Sequence, residues 1–195
     1  MIEAPLPDQF TTAHLLLRRP RGSDALATFV GWTSDVVATR YLPWRRHTEL
    51  AHAEAYLASL TAKWEDGSAY AWLTTVRPDD RAMGLGLIRL REAEAEIGYA
   101  IAPAHSGKGL ATEVASALLS QAFAVPGVER AIAVLDAEHA ASVRVLEKVG
   151  MVLVEEFTDD VSHPNISDVP RPCWRFAVGR DRWAAGGHTG LSSRP

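Results

Sequence analysis

One stretch of the chain, Glu96-Ile-Gly-Tyr-Ala-Ile-Ala-Pro-Ala-His-Ser-Gly-Lys-Gly-Leu-Ala-Thr-Glu113, restricts the fold more than any other. An apolar strand runs into a loop bracketed by Gly107 and Gly109, and a helix opens directly behind it. Neither glycine carries a Cβ, so an anion can approach the backbone, and the free N–H groups of the first helical turn point at it with the helix dipole behind them. The expected ligand carries phosphate. After the loop, Leu110, Val114, Leu118 and Ala122 mark one face of a helix that stops before Pro126-Gly127.

Flanking residues separate the loops that work this way. A Walker A loop needs a glycine five positions before its Gly-Lys pair and a Ser or Thr after it; here Ala102 and Gly109 stand there. A Rossmann fingerprint fits better, because Gly107-x-Gly109 opens a helix and the strand Ala131 to Leu135 ends on Asp136, where a ribose-binding acid could sit. Its third glycine is replaced by Thr112, and too little chain follows to complete a doubly wound sheet. A second block, Asp136-Ala-Glu-His139-Ala-Ala-Ser142-Val-Arg-Val-Leu-Glu147-Lys148-Val-Gly150-Met, follows further along the chain.

Together the two blocks resemble the GNAT superfamily of N-acetyltransferases. Ser106-Gly-Lys-Gly109-Leu-Ala111 is similar to the family's Gln/Arg-x-x-Gly-x-Gly/Ala loop except at its first position, and the second block is similar to its Asn-x-x-Ser…Glu-Lys-x-Gly-Phe helix. The opening Leu15-Leu-Leu-Arg18-Arg19-Pro, with Asp24 and Arg40-Tyr41-Leu42-Pro43-Trp44, resembles the Rim-type branch, the ribosomal-protein N-terminal acetyltransferases. The resemblance covers roughly residues 11 to 180. It implies an α+β, three-layer fold with a mixed, mostly antiparallel seven-stranded sheet flanked by about four helices.

The pattern of the chain itself gives a matching order of elements. His14 to Arg19 reads as a strand; Ser23 is placed to cap a helix from Asp24 towards Trp32, and Thr48 a second helix with Leu50, Ala53, Leu57, Leu60 and Trp64 at helical spacing. Tyr70 to Val76, Met83 to Leu90 and Glu96 to Ile101 read as a meander, with the turn signal Pro78-Asp-Asp-Arg81. Beyond the glycine-loop helix come the strand Ala131 to Leu135, a helix from Ala140 to Val149 stopped by Gly150, and strands Val152 to Phe157 and Trp174 to Val178, with a proline-bearing loop from Thr158 to Pro172. One domain is expected over residues 1–183, with a disordered glycine- and serine-rich tail from Ala184.

At 195 residues and 47% hydrophobic the chain can bury a full core. Cys173 is its single cysteine, so a disulfide framework is excluded and a reducing, cytoplasmic setting is expected. No stretch approaches the length of a membrane span, and a net charge of −4 argues against a generic nucleic-acid or membrane binder. A monomer or a homodimer fits equally. Metal is not expected: His47, His52 and His163 lack zinc spacing and read as surface or hydrogen-bonding residues.

Acetyl transfer needs a polarised thioester carbonyl, an amine relieved of its extra proton and a neutralised thiolate. The resemblance implies backbone amides near Ile101 and Ala102 at the thioester oxygen of acetyl-CoA. It places the pyrophosphate on Gly107, Lys108, Gly109, Leu110 and Ala111, with Ser106 and Thr112 close. Strand alternation puts Glu96, Gly98 and Ala100 on one face, making Glu96 the candidate base; the other reading is an exposed strand-edge carboxylate beside Glu94 and Glu92. Ser142 matches the family's helix serine and is the candidate acid at the CoA sulfur, the alternative being a residue that only caps or packs. No tyrosine is available on that helix. His139 stands where the family has asparagine, as a CoA contact or a proton shuttle. Tyr41, Trp44 and Arg45 fall in the segment that flanks the acceptor in the family, or are helix-packing residues. The expected activity is N-acetylation of a primary amine, either a protein N-terminus or a small molecule. A catalytically weak CoA-binding or regulatory module is the alternative, and a nicotinamide-dependent reductase a distant third.

Overall fold

The computed structural model of the chain describes residues 6–159 and 163–186. Eight strands form one sheet: β1 (Gln9–Thr11), β2 (Leu15–Arg18), β3 (Tyr70–Val76), β4 (Ala82–Arg91), β5 (Glu94–Ile101), β6 (Arg130–Asp136), β7 (Val152–Asp159) and β8 (Arg171–Gly179). Their order is β1-β2-β3-β4-β5-β6-β8-β7, and among these eight strands β5 and β6 are the one parallel pair. Among the described residues six helices accompany them: α1 (Ala25–Thr28), α2 (Val36–Thr39), α3 (Leu50–Glu65), α4 (Leu110–Ala124), α5 (Ala140–Lys148) and α6 (Arg180–Ala185). The sheet thus has one strand more than expected, the three-residue β1 on its edge, and two short helices besides the four anticipated.

Alternation along the strands sorts side chains into two cores. Leu17, Trp72, Ile88 and Ile97 face α4 and α5, where Val114, Leu118 and Leu146 close the layer. Ala71, Leu73, Leu85 and Leu87 face α1 and α3, meeting Trp32, Leu57 and Leu60. Four of the six tryptophans, Trp32, Trp64, Trp72 and Trp183, are buried.

Two of the expected helix starts differ. The segment after Ser23 is not one helix: a 3-10 turn (Gly22–Asp24), α1 and a π-helical turn (Phe29–Thr33) follow one another. Asp24, rather than Ser23, closes the start by accepting the Arg21 amide at 2.7 Å. The wider turn arises where Thr33 Oγ1 donates to the Thr28 carbonyl and Ser34 Oγ to the Phe29 carbonyl, each five residues back. Helix α3 begins behind Glu49, not Thr48, without a side-chain cap. At the other end α6 includes Ala184 and Ala185; the rest of the expected tail, from residue 187, lies outside the described residues.

The feature that builds the site is the opening between β5 and β6. They pair only at Glu94↔Arg130, Ala95↔Ala131 and Glu96↔Ile132, and then separate. Strand β5 stays on β4 as far as Gly84↔Ile101, and β6 stays on β8 as far as Asp136↔Cys173. At Gly84 a Cβ would lie 2.2 Å from the Ala100 carbonyl oxygen, so glycine lets β4 hug β5 to its end. The sheet therefore opens as a wedge in its middle, with Glu96 at the apex.

Candidate functional site

Hydrogen bonding fixes which backbone groups face the wedge. The Ala102 amide donates to the Met83 carbonyl at 2.7 Å, so it is spent on β4. Successive amides of a strand point to opposite edges, which turns those of Ile101 and Tyr99 into the wedge, past the last β5–β6 pair. Of the two amides expected at the thioester oxygen, the structure thus leaves Ile101 and removes Ala102.

Beyond Ala102 a 3-10 turn (Pro103–His105) leads into the loop. Gly107 and Gly109 adopt φ of 76° and 80°, in the left-handed region, and a Cβ at either would project into open space. Among the described residues, no acceptor takes the amides of Gly107, Lys108, Gly109, Leu110, Ala111 or Thr112, whereas the Ser106 amide is held by the Pro103 carbonyl. The Leu110 side chain is buried beneath. Lys108 Nζ folds back to the Ala104 carbonyl at 3.1 Å, and with His14, His105, Val76 and Leu110 it rims a shallow hollow beside the loop. The first turn of α4 is anchored by Glu113, which accepts from the Thr12 hydroxyl, the His14 amide at 2.8 Å and His14 Nδ1 at 2.9 Å. Burial would raise that carboxyl; these donors outweigh it and hold it below the ordinary range.

Glu96 is not a strand-edge carboxylate. It lies on a central strand, on the α1/α3 face, and Arg89 directly opposite on β4 holds its Oε1 at 2.7 Å. Gly98 and Ala100 follow on the same face, and a Cβ on Gly98 would meet only Leu87, at 3.9 Å, so there is open space above these small residues. Near Arg89 stands Tyr56, whose hydroxyl burial pushes up while Arg89 opposes the shift. It belongs to an aromatic cluster with Trp44 at 5.0 Å and buried His47 at 5.6 Å; Trp32 lies 6.0 Å from Trp44. His47 and His163 are buried, so of the surface or hydrogen-bonding positions expected for them the surface one does not hold.

On the other face, Ser142 sits in the first turn of α5 with its Oγ 2.8 Å from the Tyr99 hydroxyl. A phenol thus meets the start of α5, carried by β5 rather than by the helix. Burial pushes the Tyr99 hydroxyl up to about 12, a shift that the Ser142 bond opposes. His139, the residue before α5, stacks on Tyr41 with ring centroids 4.2 Å apart and planes inclined by 17°, and the Tyr41 hydroxyl reaches the Glu138 carbonyl at 3.5 Å. Burial pushes the His139 imidazole below its ordinary value; Asp136 opposes this and His163 adds to it, so the neutral form is favoured.

Asp136, fully buried at the end of β6, fixes this corner. It accepts from Arg171 Nε at 2.5 Å and from the Glu138 amide at 2.9 Å, and it is no ribose-binding acid. The loop before β8 holds the segment expected to flank the acceptor: Asn165 Nδ2 donates to the carbonyls of Thr39 and Trp44 at 2.8 and 2.7 Å, and its Oδ1 accepts the Arg46 amide at 2.8 Å. Arg45 points away, exposed and paired with Asp168 at 2.8 Å. Of the three expected acceptor residues, Tyr41 reaches the α5 corner, Trp44 joins the aromatic cluster and Arg45 lies outside.

A parallel pair that parts into a wedge, with an unpaired amide leading to a helix N-terminus of six open amides, is the arrangement that the resemblance to the acetyltransferases implies. The acetyltransferase (GNAT) domain family matches residues 14–152, and the chain belongs to that family, whose members transfer acetyl groups from acetyl-CoA. YoaA of Bacillus subtilis (strain 168), an uncharacterised N-acetyltransferase, is 32% identical over 142 residues, 71% of this chain and 80% of that protein. YnaD of the same organism, also an uncharacterised N-acetyltransferase, is 31% identical over 143 residues, 72% of this chain and 81% of its own. Among solved structures, a GNAT acetyltransferase of Bacillus anthracis superposes with a TM-score of 0.76 at 22% identity, covering 89% of this chain and 99% of its own. RimL, the ribosomal L7/L12 alpha-N-protein acetyltransferase in complex with coenzyme A, gives 0.76 at 16% identity, covering 91% and 98%. No described helix is long and apolar enough to cross a membrane.

Proposed function

We propose that the chain acetylates a primary amine by direct attack of the amine nitrogen on the thioester of acetyl-CoA. The observation that carries this reading is the wedge between β5 and β6 opening onto the Gly107–Thr112 amides, which suits a pantetheine thioester joined to a pyrophosphate. The amides of Gly107, Lys108, Gly109, Leu110, Ala111 and Thr112 hold the phosphates, beside Ser106. The Ile101 amide polarises the thioester carbonyl, and Ala102 is an apolar wall. His139 lies along the pantetheine arm. Glu96 relieves the amine of its proton, directly or through water, using the oxygen that Arg89 leaves free. Ser142 serves the departing sulfur, and the amine enters past Tyr41 and Trp44, with Arg45 on the rim.

The acceptor is a protein N-terminus or a small amine. RimL is described for ribosomal L7/L12, whereas MccE, a self-immunity acetyltransferase seen with acetyl-CoA and AMP, superposes equally well at a TM-score of 0.77. Shared fold therefore does not choose between the two classes. One observation favours the alternative of a catalytically weak CoA-binding module: both candidate proton-handling groups already have partners, Glu96 in Arg89 and Ser142 in Tyr99. Calorimetry with CoA, acetyl-CoA and NADPH, followed by a panel of amines and peptides with free thiol as readout, tests the reading. CoA binding with amine-dependent thiol release is expected. Stabilisation by NADPH alone would overturn it, and CoA binding without thiol release from any acceptor would favour the binding module.

A further inference from the structure

Tyr99 lies on β5 three residues past the last pair with β6, and its side chain crosses to the start of α5, the helix that continues from β6. It therefore spans the gap where the two strands part. Its oxygen lies 2.8 Å from Ser142 Oγ and 3.4 Å from the Ser142 carbonyl, so the hydroxyl–hydroxyl bond is the shorter. Two hydroxyls share one proton in such a bond, and the other proton is left for a third partner. A phenol is the stronger donor of the two, and burial keeps this one protonated throughout the range in which an enzyme works. When Tyr99 donates to Ser142 Oγ, the serine's own proton is free, and the bond strengthens it as a donor.

We propose that Tyr99 is a positioning residue for acetyl transfer: its hydroxyl, donating to Ser142 across the open wedge, fixes the Ser142 hydroxyl as a hydrogen-bond donor to the sulfur that leaves acetyl-CoA. This rests on the reading of Ser142 given above. The amine lone pair forms the new C–N bond, and the C–S bond breaks with its electron pair on sulfur. The amine's proton passes to Glu96 or to water. The thiolate, held by the Ser142 O–H, takes its proton from solvent on release, and neither hydroxyl is consumed. Sequence order hides the pair, because 43 residues separate the partners and the serine lies on a different element.

The test needs no acceptor. CoA is bound to the protein and its thiol is titrated by the ultraviolet absorbance of the thiolate, in the parent, Tyr99→Phe, Ser142→Ala and the double variant, with calorimetry confirming that each is loaded. In the parent the bound thiol should titrate below its ordinary value of about 8.5. Tyr99→Phe, which keeps the ring and loses one oxygen, should raise it by about one unit, a tenfold change in the ionisation constant. Ser142→Ala should raise it at least as far, and the double variant should equal Ser142→Ala alone. A shift in Ser142→Ala with none in Tyr99→Phe would overturn the role of Tyr99 and leave that of Ser142 standing. Shifts that add in the double variant would show that Tyr99 acts other than through Ser142. No shift in Ser142→Ala would remove the reading of Ser142 itself, and this inference with it.

Discussion

Gly109 and Gly127 make a matched pair for testing the loop. Both hold φ in the left-handed region, 80° and 83°, and at both a Cβ would meet nothing within 4 Å. Replacing either with alanine therefore carries the conformational cost alone, about 1–2 kcal/mol. For a chain of this size that lowers Tm by roughly 2–8 °C. The two positions lie at opposite ends of α4, whose 15 residues span about 22 Å at 1.5 Å per residue. Only Gly109 adjoins the amides assigned to phosphate. The Cβ of Gly109→Ala projects into space that the phosphate must enter, and losing one amide bond to an ionised oxygen costs about 1.5–3 kcal/mol. CoA affinity should fall about ten- to hundredfold in Gly109→Ala and stay unchanged in Gly127→Ala, while thermal unfolding shifts alike in both. Calorimetry and a thermal melt on the two proteins decide it: equal CoA affinity would refute the placement of phosphate on this loop.

Three other perturbations follow. Glu96→Gln retains an oxygen for Arg89, so it should keep CoA affinity while slowing turnover by roughly 10²-fold or more, with partial recovery at high pH as free amine becomes available; undiminished turnover on a verified acceptor would exclude Glu96 as base. Because burial lowers the pKa of His139, the unfolded chain binds this proton more readily than the folded one, and stability falls as pH drops below about 6.5 towards the depressed value. His139→Asn should flatten that part of a stability–pH profile from chemical denaturation, above the window in which Glu113 and Asp136 lose their contribution, and an unaltered profile would contradict it. Asp24→Asn breaks a bidentate pair with Arg18, which is 3% exposed and bonded at 2.9 and 2.7 Å, so denaturant titration should show a loss of about 3 kcal/mol; less than 1 kcal/mol would show that Asp80 and the Arg19 carbonyl suffice for the guanidinium.

How far the fold is legible depends on element length. Strand β3 has the bounds its apolar run predicts, and α4 is set by Leu110, Val114, Leu118 and Ala122, all buried. The three residues of β1 are too few to show alternation, and α2 has four. Helix α6 has one buried anchor, Trp183, so no repeat betrays it. Between Asp24 and Thr33 the apolar spacing does suggest a helix, but hydroxyls at Thr33 and Ser34 take carbonyls five residues back and widen the last turn. Propensity describes the segment; side-chain hydrogen bonds decide its pitch.

The site shows the same limit in another form. Arg89 beside Glu96 was within reach of the sequence: a two-residue turn at Glu92-Ala93 puts Arg91 opposite Glu94 and, by counting back, Arg89 opposite Glu96. Tyr99 was half within reach, since alternation sends it to the face opposite Glu96, but only the packing of α5 brings Ser142 to meet it. That opposition has a chemical consequence. With Glu96 and Tyr99 on opposite faces of one strand, a thioester lying in the wedge would receive its amine from the α1/α3 side and release its sulfur towards α5. Attack and departure would then occupy different sides of the carbonyl, each with its own polar partner. Cys173, the single thiol, is fully buried on β8, which supports direct attack over transfer through a cysteine.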